Sequence, residues 1–332
     1  MDSLSVAIPI FLLSAVVVIA AGIGLARFGD RIAEGTGWGT LWVGTVLVSV
    51  ATSLPELVTN VSAVLIGSPD LALGNVLGAD MMNVFVVAAI ATAFGAHRVF
   101  GNQGRDSFLL IVSGMVLVGL AMAIGATGDL ALGFTSAGGL AILGVYLLAM
   151  RRVHAAGNAE GAGIEPATDD AKRGFKQAAV GFGICAAVIL GSAPFLAMSA
   201  DSIAEATGLA GSFVGVLLVS LVTTMPETAV GVTAAMRGSY GIVLGNAFGS
   251  NAFNVAILFV GDLFNREALL GSMRVEHYVA GGAAIALMFV ALLVFRAANG
   301  AMPAKLVRVA PAILLLHPVA LFAVFRLSGG AG

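Results

Sequence analysis

Apolar stretches of about 20 residues, the length a helix needs to cross the hydrocarbon core of a bilayer, recur along the chain between short polar connections. Ten are predicted to be helical: 5–26, 38–66, 71–94, 107–124, 130–150, 176–200, 211–236, 239–261, 277–296 and 305–326. The first run, Ser5 to Leu25, lacks a basic start and is too long for the apolar part of a signal peptide, so it is predicted to stay as a transmembrane helix. The longest polar interruption, residues 151–175, reads "RRVHAAGNAEGAGIEPATDDAKRGF". Its charged ends and Gly/Ala-rich middle predict a linker between two five-helix halves, 1–150 and 176–332, and it is too short to fold as a domain of its own.

One polar feature interrupts the apolar pattern twice. "ATSLPELVTNVSAVLIGSPDLALGNVLGADMMNV" (51–84) aligns without a gap on "VTTMPETAVGVTAAMRGSYGIVLGNAFGSNAFNV" (222–255), at a constant offset of 171. The offset pairs Thr52 with Thr223, Pro55 with Pro226, Glu56 with Glu227, Gly74-Asn75 with Gly245-Asn246, Gly78 with Gly249 and Asn83 with Asn254. Halves with five helices each, an odd number, must enter the membrane with opposite orientations, the inverted repeat found in many secondary transporters.

The basic residues agree with ten spans. Numbering the connections alternately puts 13 of the 16 Lys and Arg on one side and leaves Arg266, Arg274 and Arg326 on the other. The basic side is predicted to be cytoplasmic, with the linker, and both termini outside. Composition fits the same class: the chain is 332 residues long, 59% hydrophobic and 10% charged, against roughly 25% charged in soluble domains. A net charge of -2 without a basic patch gives no nucleic-acid footprint. The single cysteine, Cys185, excludes an intrachain disulfide.

The chemistry lies in the repeated segments. Proline has no N–H to give the carbonyl four residues earlier, so both helices should kink or break, at the carbonyls of Ala51 and Val222. Ser49, Thr52, Ser53 and Glu56 share one helical face through their i, i+3, i+4, i+7 spacing, and Ser220, Thr223, Thr224 and Glu227 repeat it. Hydroxyls, carboxylates and loosened carbonyls are the hard oxygen donors that Na⁺ and Ca²⁺ prefer. Only Glu56, Asp80 and Glu227 among the acidic residues fall well inside predicted spans. Each costs about 2.5–3.5 kcal/mol there even on the lenient insertion scale, which makes a functional role the default. Two adjacent carboxylates repel unless a cation or a proton lies between them.

The paired segments "TSLPE"/"TTMPE" and "GNVLGADMMN"/"GNAFGSNAFN" resemble the alpha repeats of the sodium/calcium exchanger family, within the cation/calcium exchanger superfamily. The resemblance covers residues of about 42–92 and 213–263. It implies an all-α integral membrane protein of ten transmembrane helices in two inverted five-helix repeats, in a prokaryotic plasma membrane. The implied activity is Na⁺/Ca²⁺ antiport by alternating access, with no cofactor; a monomer is expected, with the bilayer and the ions as partners. Carried over by motif position, the resemblance implies Thr52, Glu56, Thr223 and Glu227 as central Ca²⁺ ligands. Flanking Na⁺ sites would use Ser53 on one side and Thr224 with Ser250 on the other. Carbonyls of Ser49 and Ser220 would assist, and Asn83 and Asn254 would line the middle.

Three positions depart from the family pattern. Ala79 stands where serine is frequent, so the resemblance implies one Na⁺ site short of a hydroxyl and leaves the usual stoichiometry open. Asn254 stands where many relatives have aspartate, which argues against potassium dependence. Asp80 stands where "GSN" has its asparagine; an accessory ligand, a protonated donor and a structural partner are the three readings. Proton/Ca²⁺ exchange on the same fold is the nearest alternative, and a cation channel a more distant one. An intramembrane enzyme lacks a nucleophile–base pair, since no histidine accompanies the serines inside the spans.

Overall fold

The computed structural model describes residues 4–36, 48–159, 169–265 and 268–329, and every regular element among them is helical. In chain order these are α1 (Leu4–Thr36), α2 (Ser49–Thr52), α3 (Leu54–Leu65), α4 (Pro69–Phe94), α5 (Ala96–Phe100), α6 (Arg105–Thr127), α7 (Ala137–Ala159) and α8 (Asp169–Thr207). The second half continues with α9 (Gly211–Val214), a π-helical turn (Gly215–Val219), α10 (Ser220–Thr223), α11 (Met225–Met236), α12 (Tyr240–Asp262), α13 (Val275–Ala298) and α14 (Ala312–Leu327). Among the described residues, seven helices are long and apolar enough to cross a membrane, and Gly211–Thr223 with Met225–Met236 forms a further span bent by 47°. α3 and α14 are shorter apolar helices.

Boundaries differ from the predicted ones where polar sequence can still form a helix. α1 runs ten residues past its predicted end, to Thr36, and α8 begins at Asp169. α7 continues to Ala159, so the linker is helical at both ends; the Ala-rich stretch after Arg151 and Arg152 has good helix propensity. Residues 160–168 of the linker and 38–47 of the predicted second span lie outside the described residues. The last predicted span opens with a 3₁₀ turn, Ala304–Val309, and its α-helix starts only after Pro311.

The outer surface is apolar, and a polar cluster is buried within an otherwise apolar core. Leu12, Leu13, Val16, Leu148, Ile184, Leu315 and Phe322 are exposed, whereas Thr52, Ser53, Glu56, Asp80, Asn251 and Asn254 are fully buried. In hydrocarbon there is no hydrophobic drive between helices, so their association relies on close packing and interhelical hydrogen bonds. The glycines of α4 supply the first. A Cβ on Gly78 would lie 2.5 Å from the Val216 carbonyl oxygen, and one on Gly74 2.4 Å from that of Ser212. The two backbones touch there, and the π turn beside the contact is the wider geometry that commonly marks functional sites. α1 packs along α8 and also reaches the second bent span, where Gly22 lies directly on the Pro226 ring.

Gly78→Val is therefore expected to lower the thermal midpoint in detergent by several degrees or abolish folding, because neither facing backbone can retreat. Gly144→Ala, in α7 with nothing within 4 Å, should be neutral. Fluorescence-detected size exclusion after heating checks both, and equal behaviour would refute the backbone contact.

Candidate functional site

The two spans that carry Pro-Glu each break one residue before the Leu-Pro or Met-Pro pair, with the same geometry in both halves. α2 ends at Thr52 and α3 starts at Leu54, with Ser53 at φ −86° and ψ 11°. α10 ends at Thr223 and α11 starts at Met225, with Thr224 at φ −83° and ψ 2°. Each proline thus sits in a first helical turn, where its missing N–H needs no partner. The local hydrogen bonds repeat at the same offset: Ser53 N–H donates to Ser49 O at 2.9 Å and Thr224 N–H to Ser220 O at 3.0 Å.

The break has an electrostatic consequence. Glu56 and Glu227 fall in the first turns of α3 and α11, at helix ends that carry partial positive charge and favour a carboxylate. The preceding pieces end at Thr52 and Thr223, the carbonyl ends, which favour a cation.

Side chains from both halves close around the breaks. Ser53 Oγ donates to Glu227 Oε1 at 2.8 Å, and Ser250 Oγ to the same oxygen at 3.3 Å. Thr52 Oγ1 donates to Asn246 Oδ1 at 3.3 Å, and its counterpart Thr223 Oγ1 to Asn75 Oδ1 at 3.2 Å. Asn246 Nδ2 donates to the Glu227 carbonyl at 3.2 Å. Ser49 Oγ reaches the carbonyls of Gly245 and Asn246 at 3.4 and 3.3 Å. Deeper along the same helices, Asn83 Nδ2 donates to Asn251 Oδ1 at 2.9 Å and Asn254 Nδ2 to Asp80 Oδ1 at 3.2 Å.

Both oxygens of Glu56 and Oε2 of Glu227 are buried and have no hydrogen-bond partner. Among the described residues neither glutamate pairs with Lys or Arg. Glu56 lies within electrostatic reach of Glu227 and of Asp80. No group of three or more His, Cys, Asp or Glu side chains converges among the described residues. The arrangement is thus two carboxylates ringed by hydroxyl, amide and carbonyl oxygens, a donor set for hard cations.

The structure brings Ser49, Thr52, Ser53, Glu227 and Ser250 into one network with Asn246, and links Thr223 to Asn75. Ser220 and Thr224 bond along their own helix. Their hydroxyls donate back to their own helix, Ser220 to Val216 O and Thr224 to Ser220 O at 2.7 Å, a common habit of Ser and Thr in helices. The carbonyls of Ser49 and Ser220 are likewise engaged within their own helices. Three buried asparagines, Asn75, Asn246 and Asn251, were not among the predicted ligands. Their signal was the gapless repeat, which places Asn75 and Asn246 at equivalent positions beside the paired glycines.

Residues 6–152 and 177–328 match the family model described as sodium/calcium exchanger protein. An uncharacterized membrane protein of Methanocaldococcus jannaschii is 27% identical over 238 residues, 71% of this chain and 74% of the relative. The sodium/calcium exchanger MaX1 of Methanosarcina acetivorans is 24% identical over 288 residues, covering 77% and 82%. A solved structure of the sodium-calcium exchanger NCX_Mj superposes with a TM-score of 0.64 at 21% identity, over 96% of this chain and 99% of that one. At this identity the likeness concerns the fold.

Asn246 and Asn75 are equivalent in sequence but not in bonding, since Asn75 Nδ2 has no partner. Asn246→Ala removes two buried hydrogen bonds, its own to the Glu227 carbonyl and that from Thr52 Oγ1, a loss of about 0.5–1.5 kcal/mol each. Asn75→Ala should cost clearly less. Thermal unfolding of the two purified variants checks the order, and equal losses would contradict it.

Proposed function

The chain belongs to the sodium/calcium exchanger family, and from that premise we propose that it is a secondary active antiporter exchanging Na⁺ for Ca²⁺. Membership makes it a multi-pass integral membrane protein that exchanges cations; the coupling ion and the ligands are our reading. The observation that carries this reading is the pair of fully buried glutamates, one from each half, with three of their four oxygens unpartnered. Such a pair is expensive in a low-dielectric interior unless cations balance it, and one Ca²⁺ balances two carboxylates.

In this reading Thr52, Glu56, Thr223 and Glu227 hold Ca²⁺, while Ser53, Thr224 and Ser250, with the carbonyls of Ser49 and Ser220, serve flanking Na⁺. Asn83 and Asn254 line the middle. Because the two ions share oxygens, occupancy by one excludes the other, and that competition couples the fluxes. The ten spans form two inverted halves, with the linker cytoplasmic and both termini outside, as the distribution of Lys and Arg suggests. Alternating access would come from α1 and α8, the two longest helices, moving together past the core that holds the ions. Their mutual packing and the seat of Gly22 on Pro226 support this, since movement of α1 would be felt at the helix break.

A second reading, H⁺/Ca²⁺ exchange, draws on an asymmetry. Ser250 donates to Glu227, but its counterpart is Ala79, so Glu56 receives no such hydroxyl. Glu56 then offers fewer neighbours for a Na⁺ ion and could exchange Ca²⁺ for a proton instead. Counter-ion-dependent ⁴⁵Ca²⁺ flux in proteoliposomes decides between them: uptake should require an outward Na⁺ gradient, and uptake driven by a pH gradient in Na⁺-free buffer would sink the Na⁺ reading. Glu56→Gln and Glu227→Gln should each reduce exchange to background while the protein still elutes as a monodisperse peak in detergent. Near-normal flux in either variant would overturn the central site.

A further inference from the structure

Asp80 lies in the polar core but outside the ring of oxygens around Glu56 and Glu227. It is fully buried on α4, and its counterpart at the repeat offset is Asn251. Its backbone carbonyl accepts from Asn251 Nδ2 at 3.2 Å, and its Oδ1 accepts from Asn254 Nδ2 at 3.2 Å. That leaves two oxygens of one hydrogen-bonded pair, Asp80 Oδ2 and Asn254 Oδ1, both buried and both without a donor. The equivalent pair on the other side, Asn83 with Asn251, joins two amides and is uncharged. A carboxylate therefore replaces an amide on one side only.

An ionised carboxylate within a membrane-spanning helix needs a compensating charge, and among the described residues Asp80 makes no ion pair with Lys, Arg or His. It does not converge with Glu56 and Glu227 into a single three-acid cluster, although Glu56 lies within its electrostatic reach. A Ca²⁺ ion bridging the two glutamates would neutralise them and leave Asp80 to be balanced by a proton or by a second cation. An oxygen pair carrying one charge suits a hard monovalent cation, for which no large set of carboxylates is required.

We propose that Asp80 Oδ2 joins Asn254 Oδ1, which the reading above places in the middle of the site, in holding a monovalent cation additional to the bridging ion, Na⁺ in the exchange cycle. The choice of Na⁺ rests on the antiport reading above. The hydrogen bond from Asn254 Nδ2 to Asp80 Oδ1 holds the two side chains together where α12 packs on α4, and each keeps one oxygen free. Asp80 is on this account an ion ligand that gives the first half of the chain a charge the second half lacks.

The test compares wild-type protein, Asp80→Asn and the transposed pair D80N/N254D. Asp80→Asn should keep the packing, because an amide pair already occupies the equivalent position. In proteoliposomes its Na⁺ half-saturation for ⁴⁵Ca²⁺ exchange should rise about tenfold and its Na⁺ Hill coefficient fall by about one, with a smaller shift for Ca²⁺. The transposed pair returns a carboxylate from the opposite helix and should recover most of the Na⁺ response. An Asp80→Asn response matching wild type would overturn the subsite, as would equal losses for Na⁺ and Ca²⁺. Asp80→Ser gives the same readout if the asparagine variant does not elute as folded protein. Direct ²²Na⁺ binding to detergent-purified protein separates this inference from the antiport reading. A deficit of about one Na⁺ per chain in the neutral variant supports the subsite, and equal binding overturns it even if wild-type flux proves to ignore Na⁺.

Discussion

Carboxylates without a protein counter-charge, held where water cannot reach them, are the constraint from which the rest of this structure follows. Glu56 and Glu227 are buried in a core wrapped by apolar side chains, and most of their oxygens lack a donor. Such groups persist only where the surroundings already favour charge. Here the surroundings are two helix breaks that bring positive helix ends to the glutamates, and a ring of hydroxyls and amides drawn from both halves. Glycine contacts between α4 and the π turn allow these polar segments to lie backbone to backbone. In a soluble protein water would relax each of these requirements; in hydrocarbon the oxygens must be satisfied by the protein or by a transported ion.

The two halves solve this problem with the same parts but not identically. The breaks, the first-turn prolines and the Thr–Asn hydrogen bonds recur at the 171-residue offset. The differences gather along the helices that follow the breaks: Ala79 against Ser250, Asp80 against Asn251, and the unpartnered Asn75 amide against the bonded Asn246. Glu227 accepts from Ser250, a hydroxyl that Glu56 lacks because Ala79 stands at the equivalent position. Under the proposed function, this inequality is where ion selectivity would act, because each ion would meet a different set of neighbours on each side.

The contact between α1 and Pro226 ties the pair of long helices, α1 and α8, to the core that holds the proposed ion site. Gly22 is the residue that permits the approach; a side chain there would overlap the proline ring. A helix that rests on a break can sense or impose its geometry, whereas a helix resting on a continuous rod could only slide. This is the physical link between the proposed movement and the oxygens that would hold the ions.

Much of the site was legible in the sequence, because burial of acidic residues, proline in an apolar span and a gapless repeat are one-dimensional signals. They identified the broken spans, the paired glutamates and the hydroxyls beside them. The direction each hydroxyl takes was not legible. Ser53 crosses to Glu227, while Thr224, its equivalent, bonds back to its own helix, since spacing places a side chain on a face but does not choose among acceptors within reach. Nor could spacing show that Asn75, Asn246 and Asn251 anchor the crossing, or that Asp80 meets Asn254. Those partners stand 148 to 194 residues apart in sequence, and only the packing of one half on the other decides which polar atoms find a donor and which are left without one.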